Sequence, residues 1–177
     1  MSDIETPAAR LWTPEGFREN EWSRAESAEA LAGNRRVILP LEAFLGLDDE
    51  TREQNAGRIG VHVLPGEAID PILPYLGSLP LVSLAFPAFS DGRSYSKAEL
   101  LRGRYLYRGA VRASGEVLID QIPLMLRTGI SEFEVTNATA LKRLAEGGPG
   151  GIPFHYQPAA KEGVQAARYS WRRQPAA

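Results

Sequence analysis

Residues 79–86 read Leu-Pro-Leu-Val-Ser-Leu-Ala-Phe, an apolar run with almost no polar alternation. A strand of this kind must be covered on both faces, which suits the middle of a parallel sheet flanked by crossover connections. The chain on either side supplies units of that sort. Val37, Ile38 and Leu39 make a short apolar strand, followed by helical stretches over 40–45 and 48–55 that Gly57 stops. Over 58–64, Ile59, Val61 and Val63 alternate with Gly60 and His62, the pattern of another strand. Pro65 and Gly66 then turn the chain into a helix broken by Pro71 and Pro74. A strand over 110–113 precedes a helix over 115–128, with Leu118, Ile122, Met125 and Leu126 on one face and a kink at Asp120 and Gln121 imposed by Pro123. A strand over 132–135 and a helix capped by Thr136 or Asn137 and running to Glu146 complete the series. Strand and helix alternate about five times, so the expected fold is α/β: a mostly parallel sheet of about five strands with helices on its faces. An incomplete β/α barrel of the same units is the alternative.

Residues 1–34 read as an N-terminal arm containing a short hairpin and a short helix over 23–32, with Trp12, Phe17 and Trp22 docking it by burial. The α/β domain spans 35–157, including a Gly-rich loop or hinge over 147–151 and a last strand over 152–157, and 158–177 read as a mobile tail. At 177 residues one core suffices. The net charge of -2 gives no general drive toward nucleic acid. Cysteine is absent, which excludes disulfides, thiol nucleophiles and protein-ligated iron–sulfur clusters. The two histidines, His62 and His155, are far apart and lack a neighbouring acidic cluster, so they read as core or surface residues and no metal site is expected. No dinucleotide fingerprint, Walker loop or G-x-S-x-G elbow occurs. An acidic N-terminus and no apolar run long enough to span a bilayer point to a cytoplasmic protein without a membrane partner.

Ligands on parallel sheets gather at the carboxyl ends of the strands. The loop after Phe86 carries Asp91, Gly92, Arg93, Tyr95 and Ser96; the one after Ala113 carries Ser114 and Gly115, with Asp120 and Gln121 just beyond. Ser96 and Glu99 form a capping box, flanked by Tyr95 and Leu100 as a hydrophobic staple, which predicts a helix starting at Ser96. Arg93 offers a donor fork suited to carboxylate, sulfite or phosphate oxygens. An anion site at this edge requires the two turns to lie side by side and Arg93 to face Ser114; closure of Arg93 on Asp91 would remove it. Arg104, Arg108 and Arg112, beside Tyr105 and Tyr107, read as a face for an acidic partner or for solvent rather than for nucleic acid, and Arg102 as a partner for Glu99.

The stretch F-S-D-G-R-S-Y-S-K-A-E-L-L-R-G-R-Y-L-Y-R-G, continued by V-R-A-S-G-E-V-L-I-D-Q, closely resembles a bacterial family of unknown function encoded beside assimilatory sulfite reductase. Some members are labelled probable oxidoreductases of sulfite reduction. The resemblance runs over residues 37–135, is weaker around Phe17 and Trp22, and ends where the Gly-rich loop and long tail depart from the usual shorter ending. Positions that match are Asp91, Gly92, Arg93, Tyr95, Ser96, Arg102, Arg104, Gly109, Arg112, Gly115, Asp120 and Gln121. It implies an accessory of sulfite or sulfate reduction that binds an anionic ligand, sulfite reductase or another enzyme of sulfate assimilation. The alternative it carries is an oxidoreductase holding an organic cofactor such as flavin at the sheet edge; a sensor moving at the 147–151 hinge is a third reading.

Overall fold

The computed structural model describes residues 8–150. The strand expected over 152–157 and the tail over 158–177 lie outside the described residues.

Among the described residues eight strands form one sheet: β1 (Arg10–Thr13), β2 (Gly16–Arg18), β3 (Trp22–Arg24), β4 (Arg36–Pro40), β5 (Ile59–Val63), β6 (Leu81–Phe86), β7 (Ala110–Gly115) and β8 (Glu132–Val135). Their order is β2-β1-β8-β7-β6-β5-β4-β3. Strands β3 to β8 are parallel and adjacent in chain order, while β1 pairs antiparallel with both β8 and β2. The expectation of about five parallel strands is therefore corrected to a mixed sheet of eight. Three of them come from residues 10–24, where segments of three or four residues are too short to show a period.

The edge strands β2 and β3 are separated in the chain only by residues 19–21. Four Cα steps reach at most about 15 Å, whereas the edges of a flat eight-stranded sheet would stand about 34 Å apart. The sheet therefore has to curl. It forms a half-barrel, and Arg24 of β3 crosses the concave side to meet Glu134 of β8 at 2.8 Å. The alternative of an incomplete β/α barrel describes this curl.

Because successive parallel strands always step in the same direction, right-handed crossovers place their connections on one side. The apolar core is that side. Val37, Leu39, Val61, Val63, Val82, Leu84, Phe86, Val111, Ala113 and Phe133 pack there against the helices. Helices α1 (Leu41–Leu45), α2 (Asp49–Gln54), α3 (Arg93–Glu99), α4 (Ile122–Arg127) and α5 (Ala138–Glu146) follow the strands, with short 3-10 turns at Ala28–Ala32 and Asp70–Tyr75. The α5 start is capped by Asn137, one of the two residues expected to do so, whose side chain accepts from the Ala140 amide, and the Asp48 side chain caps α2 by accepting from the Thr51 amide.

Two helices begin elsewhere than predicted. Helix α3 starts at Arg93 behind Gly92, so Ser96 lies inside it and caps nothing; the helix continues through a π-turn at Leu100–Arg104. Helix α4 starts at Ile122, which puts Pro123 in the first turn, where its missing amide breaks no hydrogen bond. The predicted kink does not form.

Candidate functional site

Strands β6 and β7 are neighbours in register, with Ala85 opposite Ser114 and Phe86 opposite Gly115. The turns after them lie side by side, as an edge site requires. The Glu116 amide donates to the Phe86 carbonyl at 2.7 Å, the Glu116 carboxylate accepts from the Phe89 amide at 2.6 Å, and Gln121 Nε2 donates to the Phe89 carbonyl at 3.3 Å. Gly115 has φ +99°, and a Cβ there would stand 2.5 Å from the Phe86 oxygen, so only glycine lets the two strand ends run together. Ser94 donates to the Ala85 carbonyl at 2.6 Å, and the Tyr95 ring stands edge-on to Phe86 at 5.1 Å. Lys97 donates to the carbonyls of Leu64 and Pro65, tying α3 to the loop after β5; burial lowers its pKa.

The arginines do not converge on this edge. Arg93 Nε and Nη2 reach the two carboxylate oxygens of Asp91 at 3.0 and 2.7 Å, and these hydrogen bonds hold the Asp91 carboxyl below its ordinary range. The fork that was to take an anion is filled by its own chain. Arg112 is fully buried on the opposite, concave face, and Ser114 lies there too. Arg102 does not pair with Glu99: its guanidinium donates to the carbonyls of Tyr107, Gly109 and Gly129 at the other end of β7. Arg104 is exposed over the Tyr105 ring. Ser96 is exposed on α3, as is Asp120 at the end of its loop, while burial and then the Asp120 charge raise the Tyr95 pKa. The rim thus unites Asp91, Gly92, Arg93, Tyr95, Gly115, Asp120 and Gln121, and leaves out Ser96, Arg102, Arg104, Arg112 and Ser114.

The concave face holds a polar network that the loop-centred reading missed. Arg112 donates to Glu132 at 2.8 Å, to Asn20 at 3.0 Å and to Glu134 at 3.2 Å. Arg24 spans Glu134 and the Ser83 hydroxyl, which also meets His62 Nδ1 at 3.1 Å and Ser114 at 3.3 Å. Burial first, and the Arg24 charge second, push the His62 pKa down to about 4, so the ring is neutral at pH 7. Two guanidinium groups face two carboxylates with a neutral imidazole beside them. The signal was present in the period-2 polar positions Glu132 and Glu134, Arg112 and Ser114, and His62, all sharing one face. Among the described residues no cluster of three or more His, Cys, Asp or Glu is placed to hold a metal ion, and no helix is long and apolar enough to cross a membrane.

No curated protein and no solved structure matches the chain. The model of a family described as "Bacterial protein of unknown function (DUF934)" matches residues 60–166, a span that runs from Gly60 in β5 through α5 and includes both rim loops. More than half of the chain is matched, and the protein belongs to this bacterial family of unknown function.

Proposed function

We propose that this protein is an accessory of assimilatory sulfite or sulfate reduction that docks sulfite reductase or another redox enzyme of that route on the rim formed after β5, β6 and β7. The resemblance of residues 89–121 suggests the route. The observation that carries the docking is that Leu64 and Phe89 stand 49% and 59% exposed on adjacent strand-to-helix loops, beside an Arg93 side chain that is 65% exposed. An aromatic and an arginine on a rim stiffened by the Glu116, Gln121 and Lys97 hydrogen bonds have the composition of an interface anchor. The charged groups of the concave face are taken up by the chain's own ion pairs, which leaves the exposed rim as the surface offered to a partner.

The test is recovery of sulfite reductase from cell extract on the tagged full-length chain. Phe89→Ser and Arg93→Ala each lower recovery about tenfold, with unchanged thermal unfolding because both side chains are exposed. Undiminished recovery with both variants overturns the rim as the interface. A visible absorption band in the purified protein supports the alternative, an oxidoreductase with a bound flavin.

A further inference from the structure

We propose that the opposite end of the sheet carries a second docking site, which takes an acidic, apolar-bearing peptide segment of a partner protein in the cleft beside Leu106. A cleft of about 540 Å³ lies at the amino-terminal ends of β6 and β7, walled by Leu76, Leu79, Pro80, Tyr105, Leu106 and Tyr107. Leu106 is 70% exposed and has φ +50°, a left-handed conformation that a leucine adopts only under constraint. The constraint is visible. The Tyr107 amide donates to the Leu101 carbonyl at 2.8 Å and its hydroxyl to the Leu79 carbonyl at 2.9 Å, while Arg102 clamps the Tyr107 and Gly109 carbonyls at 2.5 and 2.8 Å. The loop is held so that an apolar side chain faces water, although glycine would fit the same backbone without strain. Such stored strain at an exposed apolar residue marks a surface built for contact.

Charge identifies the occupant. Arg104 and Arg108 flank Leu106, and among the described residues neither comes within 4.0 Å of a carboxylate. A peptide with a bulky apolar residue for the cleft and Asp or Glu beside it complements both features. A concave cleft with a protruding leucine fits such a segment better than the flat surface of a bilayer, and two cations on a chain of net charge -2 are a weak footprint for nucleic acid. The site lies at the far end of the strands from the rim and does not depend on the rim's role.

The full-length protein is panned against phage-displayed random peptides, and enriched peptides are titrated by fluorescence anisotropy. The expected peptides combine a bulky apolar residue with adjacent Asp or Glu. Their affinity falls about tenfold or more with Leu106→Asp and with the pair Arg104→Glu and Arg108→Glu, and is unchanged by Phe89→Ser. Leu106→Gly separates function from folding, since it raises the melting temperature by relieving the backbone while weakening the peptide. The proposal is overturned if the enriched peptides lack acidic residues, if Leu106→Asp binds them as well as the parent, or if anionic vesicles or single-stranded DNA bind the parent as tightly with the same dependence on Leu106.

Discussion

Arg112 is the most heavily bonded charged side chain on the concave face: fully buried, it holds Glu132, Glu134 and Asn20 at once. Removing a buried cation strands the carboxylates that it neutralises, at a cost of about 3–5 kcal/mol. Arg112→Ala therefore unfolds at much lower denaturant, and Arg112→Lys does not rescue it, because one ammonium cannot reproduce a planar fork spanning three acceptors. Equilibrium urea unfolding checks both. His62 adds a pH dependence. The unfolded chain binds this proton near the ordinary 6.5, the folded chain only near 4, so the unfolded state takes up more protons between those values. Stability from this residue is complete above pH 6.5 and declines as pH falls toward 4, by roughly 3 kcal/mol at the limit. Melting temperatures over that window show the loss, and His62→Asn, which keeps a side-chain partner for Ser83 without titrating, shows a shallower decline.

Helix α3 shows how tertiary contacts displace a local signal. Ser96 and Glu99 have the spacing of a capping box, yet the helix begins three residues earlier, where Ser94 bonds the buried end of β6 and Tyr95 covers Phe86. Ser94→Ala should thus cost about 1–3 kcal/mol, through loss of a buried hydrogen bond to the Ala85 carbonyl. Ser96→Ala should change stability by no more than about 0.5 kcal/mol; thermal denaturation of the two variants compares them directly. Strands β4 to β8 were legible from their apolar runs, and helix α5 because apolar spacing and its Asn137 cap agree; α1 and α2 were legible mainly from the glycine that stops them. The rim loops were legible as loops, but their adjacency depended on β6 and β7 being neighbours, an order that the sequence does not give. What could not be read was where each arginine points, because Asp91, Glu132 and the carbonyls around Arg102 compete for guanidinium donors only once the chain is folded.

At the scale of the whole molecule, the half-barrel is closed by its first residues rather than decorated by them. Strand β1 covers the edge of β8, and the Trp12 ring lies 5.5 Å from that of Phe133. Asn20 completes the Arg112 network, the Trp22 ring lies beside Gly60, and Arg24 links β3 to β8 and β6. A Cβ on Gly60 would stand 3.1 Å from the Leu81 side chain and 3.2 Å from the Trp22 ring, so a side chain there would have to push both neighbours back by a few tenths of an ångström. A chain beginning at Arg35 would retain strands β4 to β8 and helices α1 to α5 but expose the apolar edge at Phe133 and leave Glu134 without one of its two arginines. Loss of three strands removes both the seam and the charge balance of the concave face, which no rearrangement of the remaining units restores. The truncated protein should therefore lack a cooperative thermal transition and exchange its β7 and β8 amide protons rapidly, whereas the full chain protects them. Slow exchange at Val111 and Phe133 in the truncated form, measured by hydrogen–deuterium exchange, would instead mean that residues 35–150 hold the curl without the strands that close it.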